Sequence, residues 1–237
     1  GFFGINEKPS SSKDPFALRR NAIGLLRIIT ENKLNIQLKD LINYSIVIYG
    51  EQNVNLSNNF VAKDVLLFLR ERFRSLLKDK KIRNDIIDAV DTSYAGDNFL
   101  KLYQKCLIIN KNISKDICKN IIGTYKRASN IIDQELRNEK EKIIGHPEAS
   151  LFTKDEEKYL FEKINEIRKY FSSTKKQESY EETLKILAEA KPTTDNFFNN
   201  VIVNDENIDI KKNRLELLQM FCRTFNNFID FSKVQGA

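Results

Sequence analysis

The chain has 237 residues, with 39 Lys and Arg against 33 Asp and Glu for a formal charge of +6, 41% hydrophobic residues, no Trp and one His. That apolar share can fill the core of one large domain or two modest ones, and no 18-residue apolar run is present, which excludes a helical membrane span. A lone His146, three cysteines without CxxC spacing and no GxxxxGK[ST] or GxGxxG loop exclude a histidine metal cluster, a Ser-His triad and a nucleotide-binding loop, so no metal and no catalytic residue is expected here.

Gly1-Phe2-Phe3-Gly4 lacks an initiator Met and the basic and apolar regions of a secretory signal, so the chain reads as part of something longer. In "KDPFALRR" (13–20), Asp14 can cap a helix whose first turn holds Pro15, and Phe16, Ile23, Leu26 and Ile29 then predict an amphipathic helix over about 14–33. A second helix is expected at 37–49, ended by Gly50. The polar stretch 50–59, "GEQNVNLSNN", is the candidate linker. Helices follow at 61–80, at 84–90, from a cap at Asp97 to 109, and from 114 to about 136, after which "RNEKEK" is charged and solvated. "TKDE" (153–156) fits a capping box with Thr153 at the N-cap and Glu156 three residues on, opening a helix to 171. Residues 179–190 are helical until Pro192 breaks the run, and "DNFFNNVIV" (195–203) and a last long helix over about 207–231 complete the count. The fold class is all-α.

Charge is uneven. Residues 61–145 carry 18 basic and 12 acidic side chains, whereas the flanking parts together cancel, so the middle invites a polyanionic partner. Cys106, Cys118 and Cys222 read as reduced, buried thiols of a cytoplasmic protein.

Five segments carry a family resemblance: "EKPSSSKDPFALRR" (7–20), "FLRERFRSLLKDKKIRNDIIDAV" (68–90), "YKRASNII" (125–132), "FFNNVIVNDENIDIKKNRLELL" (197–218) and "DFSKVQ" (230–235). In order and spacing they resemble the C-terminal third of the β subunit of bacterial glycyl-tRNA synthetase, the heterotetramer of two α and two β chains. The resemblance implies that residues 1–55 are the tail of a helical domain similar to the HD phosphohydrolase fold. Residues 60–237 would be an anticodon-binding bundle similar to the DALR type of arginyl- and methionyl-tRNA synthetases. It implies tRNA(Gly) and the α subunit as partners and no membrane. ATP and Mg²⁺ would be used by the α subunit, with no cofactor held by these residues. "DFSKVQ" looks like the family's natural C-terminus.

Glycine anticodons end in two cytosines, so a reader needs an acceptor for the amino group and a donor for the ring acceptors. On the 61–80 helix, Leu66, Leu69, Phe73, Leu76 and Leu77 form the core stripe, while Phe68 and Arg72 share one flank and Arg70 and Arg74 the other. By resemblance Arg72 is the first candidate reader; the alternatives are a surface ion pair for Arg72 and a core-edge role for Phe68. On the helix from 114, with Ile117, Ile121, Ala128 and Ile131 inward, Lys119, Lys126 and Asn130 form an outer stripe with Arg127 at its edge. Lys126 and Arg127 are expected to contact phosphates, with Lys119 and Asn130 as further tRNA candidates, or else the stripe is an ordinary solvated face. Arg214 projects onto an apolar face and is expected to pair structurally with a buried carboxylate. Asn213 beside it is a weaker RNA candidate, and Arg19 and Arg20 are expected to tie two domains together. Three functions compete: the anticodon-binding part of the ligase, a scaffold for subunit assembly, and a generic basic RNA-binding module.

Overall fold

The computed structural model describes residues 1–10, 13–93, 96–139, 145–173 and 179–235. Among them are ten α-helices and no strand: α1 Leu18–Glu31, α2 Leu38–Glu51, α3 Val61–Asp79, α4 Asn84–Ser93, α5 Phe99–Asn112, α6 Asp116–Glu139, α7 Asp155–Ser172, α8 Tyr180–Ala188, α9 Lys191–Asn200 and α10 Ile208–Asn226. The all-α fold class expected from periodicity is observed. Part of the charged 137–142 stretch lies outside the described residues.

The chain forms two compact units. The first comprises Gly1–Ile87 and Tyr94–Leu107, the second Asp88–Ser93 and Ile108–Ala237. In the first, α3 packs against α1 and α2. Leu26 and Ile29 of α1 are buried, as are Leu69, Phe73, Leu76 and Leu77 of α3, and the Phe73 ring meets Phe99 edge-on at 5.1 Å. Leu66 is only half-buried. Residues 52–60 join α2 to α3 inside this unit, where Asn58 donates from its backbone to the Gly4 carbonyl and from its side chain to that of Phe3, both at 3.0 Å.

In the second unit α10 packs on α6 and α7, and α6 also packs on α8 and α9. Burial of Leu217, Leu218, Phe221 and Phe225 along α10 supplies much of the core, each such side chain being worth about 1.5–3 kcal/mol of transfer free energy. A helix buried this extensively must also satisfy its polar residues, and α10 buries Asn213, Arg214 and Glu216.

Four helix starts differ from the sequence reading. α1 begins at Leu18: Pro15 and Phe16 form a turn and Ala17 is left-handed (φ 51°), while the Asp14 carboxylate still captures the N–H groups of Leu18 and Arg19 at 2.8 and 3.0 Å. The cap of α5 is Asn98, which accepts from the Lys101 N–H at 3.0 Å, because Asp97 is engaged by the backbone of Lys39. At α7 it is Glu157, not Glu156, that reaches back, accepting from the N–H groups of Thr153 and Lys154 at 2.9 and 2.8 Å. Pro192 starts a helix instead of ending one: it sits in the first turn of α9, where its missing donor costs nothing.

Candidate nucleic-acid interface

α6 is built as a two-faced helix. Cys118, Ile121, Ile122, Tyr125, Ala128 and Ile132 recur at three- and four-residue spacing and are buried. Asp116 in its first turn and Arg137 in its last complement the helix dipole. The opposite face carries Lys119, Lys126 and Asn130, spaced by seven and four residues and therefore aligned. Lys119 and Asn130 are exposed and Lys126 half-buried, and none of the three makes an ion pair or side-chain hydrogen bond among the described residues. Ile117 and Ile131 are half-buried, not core.

Arg127, beside that stripe, is exposed, and its guanidinium carbon lies 4.4 Å from the centroid of the Phe198 ring on α9. The stack holds the guanidinium flat on an aromatic face while its N–H donors stay available. Phe198 escaped the sequence reading, since "FF" at 197–198 shows two equivalent letters. The structure separates them, with Phe197 buried and Phe198 at the rim. In the middle of the stripe Gly123 is exposed, and a Cβ there would meet nothing within 4 Å.

Arg72 belongs to the other unit. Its side chain stacks over Phe68 at 4.5 Å, Nη1 pairs with Glu71 at 2.7 Å, and Nε is buried without a partner. Phe68 also touches Phe3, the ring centroids lying 5.2 Å apart. Arg70 donates to the carbonyl of Gly96. Arg72 and Phe68 therefore adjoin each other, but the structure groups neither with the α6 residues.

Arg214 is saturated. It donates to Glu157 Oε1 at 2.8 Å, to Thr153 Oγ1 at 2.8 Å, to Asp205 at 2.6 Å and to the Ile202 carbonyl at 2.7 Å. Burial alone would raise the carboxyl pKa of Glu157, but hydrogen bonds from Arg214 and the backbone of Lys154 and Thr153 outweigh it and hold it below the ordinary value. Asn213 zips residue 148 to α10, accepting from its N–H at 2.7 Å and donating to its carbonyl at 3.1 Å. Arg19 donates to the carbonyl of Ser10 within the first unit, and Arg20 is exposed.

Two family models match the chain. One, described as glycyl-tRNA synthetase beta subunit, matches residues 1–92; the other, DALR anticodon binding domain, matches residues 121–235. The chain belongs to the glycyl-tRNA synthetase β-subunit family. The glycine–tRNA ligase beta subunit of Rickettsia canadensis is 34% identical over 238 residues, 99% of this chain and 33% of that protein. The same-named subunits of Rickettsia africae and Rickettsia prowazekii are 35% and 34% identical over 99% of this chain. The chain thus spans about a third of the length of the curated relatives it matches. The anticodon-domain match runs along the helix carrying Lys126, Arg127 and Asn130 and through α10, whereas Arg72 and Phe68 fall within the other match. No helix among the described residues is long and apolar enough to cross a membrane.

Proposed function

We propose that the second unit binds the anticodon arm of tRNA(Gly) as part of glycine–tRNA ligase, with the outer face of α6 holding phosphates. One observation carries this reading: Lys119, Lys126 and Asn130 stand aligned, without an ion pair or side-chain hydrogen bond among the described residues, beside the Arg127–Phe198 stack on a helix that begins just ahead of the anticodon-domain match. Lysine and arginine on a helix face neutralise phosphates and set register. The flat arginine–phenylalanine pair suits an unstacked base of a single-stranded loop. The α subunit would activate glycine with ATP and Mg²⁺, in a cytoplasmic assembly of two α and two β chains. Arg72 and Phe68 are proposed as a further tRNA contact on α3.

The test is tRNA binding by the full-length enzyme with Lys119, Lys126 and Arg127 all changed to Ala. Affinity should fall for every tRNA alike, with the far-ultraviolet circular dichroism unchanged. Undiminished affinity would refute the placement.

A second reading, a scaffold for subunit assembly, draws on the first unit. α2 buries only Leu38 and exposes Leu41, Tyr44 and Val47 to 49%, 67% and 57%, an apolar stripe suited to another protein surface. Charge substitution at Tyr44 should weaken co-purification with the α subunit if this stripe is the contact, and leave it intact otherwise.

A further inference from the structure

Of the three polar residues that α10 buries near the 145–151 segment, Asn213 and Arg214 are fully engaged and Glu216 is not. Glu216 is 8% exposed and makes neither an ion pair nor a hydrogen bond among the described residues. It lines a 280 Å³ pocket, against roughly 30 Å³ for a water molecule. Lys212, one turn earlier on α10, and His146 line the same pocket and are exposed, as are the carboxylates Glu148 and Asp209, and Leu151 adds an apolar wall.

The backbone is fitted closely to this carboxylate. A Cβ at residue 145 would run into the Glu216 carboxylate, so glycine there lets the chain pass close over it. Burial pushes the Glu216 carboxyl up. Lys212 opposes that rise, Glu148 adds to it and His146 opposes it. The Glu216 carboxylate opens onto the pocket, where its oxygens can accept from whatever enters. Among the described residues no donor is spent on this acceptor.

We propose that this pocket reads one base of the anticodon. Its occupant is a splayed nucleobase presenting an exocyclic amino group beside a ring acceptor, which in a glycine anticodon is cytosine. Glu216 accepts from the amino group, and Lys212 or His146 donates to the ring nitrogen or carbonyl oxygen. Asn213 takes no part, since both ends of its amide are spent on the backbone of residue 148. Uracil is rejected because it turns a carbonyl oxygen toward the carboxylate and an N–H toward the donors. Glu148 and Asp209 also line the pocket, but no group of three His, Cys, Asp or Glu side chains among the described residues is placed to hold a metal ion. The proposal rests on the anticodon reading of the second unit, but it can fail separately from it.

The experiment measures filter binding of the full-length enzyme to tRNA(Gly) and to two variants with uracil at either of the last two anticodon positions. For wild-type enzyme, one of the two substitutions should weaken binding roughly 5- to 150-fold. Glu216→Gln should abolish most of that discrimination by weakening the native tRNA alone, with a melting temperature unchanged or higher. Lys212→Ala, at an exposed position, should narrow the same preference and serves as the second probe if Glu216→Gln unfolds. Discrimination unchanged in both variants overturns the proposal, as does a lowered melting temperature with discrimination intact, which would make Glu216 a packing residue. Equal loss for all three tRNAs would overturn the base-reading role while leaving the phosphate-binding face of α6 standing.

Discussion

Arg214 and Arg72 show how differently one residue type is used. Arg214 is buried with four partners on the α7 start and the 202–205 segment, so removing its guanidinium strands Glu157 in the core. Arg214→Met should cost about 3–5 kcal/mol, read as a drop in the urea midpoint; a loss under 1 kcal/mol would contradict the ion-pair account. Because the Glu157 pKa is lowered by folding, its contribution is fully present above the unfolded value of about 4.3 and disappears as pH falls through the depressed folded value. Wild-type stability should therefore decline in acid below about pH 4.3 more steeply than that of Arg214→Met. Arg72, by contrast, is tied among the described residues to an exposed neighbour, Glu71, and to the Phe68 ring. If it reads a base, Arg72→Ala costs roughly 1–3 kcal/mol of tRNA binding and flattens the preference between native and anticodon-substituted tRNA. An unchanged preference would leave it a surface ion pair. The apolar projection of Arg214 was visible in helical periodicity, but its partners were not, because they come from residues 9 to 61 positions away.

At the scale of the helix, periodicity located nearly every element and misplaced the ends, and each displacement has a local cause. Asp14 does cap α1, but from across a turn closed by the left-handed Ala17, a geometry that composition does not encode. Pro192 is read equally well as a terminator of α8 or a first-turn residue of α9; the packing of α9 on α7 decides for the latter. The α6 stripe was legible because seven- and four-residue spacing needs no tertiary information, while the ring that supports Arg127 comes from another helix. Gly123 bears on this face as well. With open space where its Cβ would stand, Gly123→Ala should stabilise the fold by about 0.5–1 kcal/mol, measurable as a higher urea midpoint. A loss of stability would mean that its neighbours constrain the backbone in a way the helix geometry does not show.

For the whole molecule, the all-α class followed from sparse glycine and proline and a nearly continuous helical period, but the grouping of helices did not. Residues 50–59 are polar and turn-rich, as a domain linker is, yet they join α2 to α3 within one unit and are pinned by Asn58 to the N-terminal turn. Polarity reports solvent contact, and whether a loop separates units depends on which helices pack on either side of it. The pocket at Glu216 was hidden for a related reason. Lys212, Glu216 and His146 are unremarkable letters until α10 is seen to be buried almost all round.

Binding of the anticodon arm by the second unit requires the α6 face to be the phosphate-binding surface. The direct measurement is the slope of log Kobs against log salt concentration for tRNA(Gly) and the full-length enzyme, wild-type against the Lys119, Lys126 and Arg127 triple alanine variant. Each phosphate contact contributes roughly 0.7–0.9 to that slope, so the variant should be shallower by about 2–3. A slope identical to wild type would place the phosphates on another surface and contradict the account.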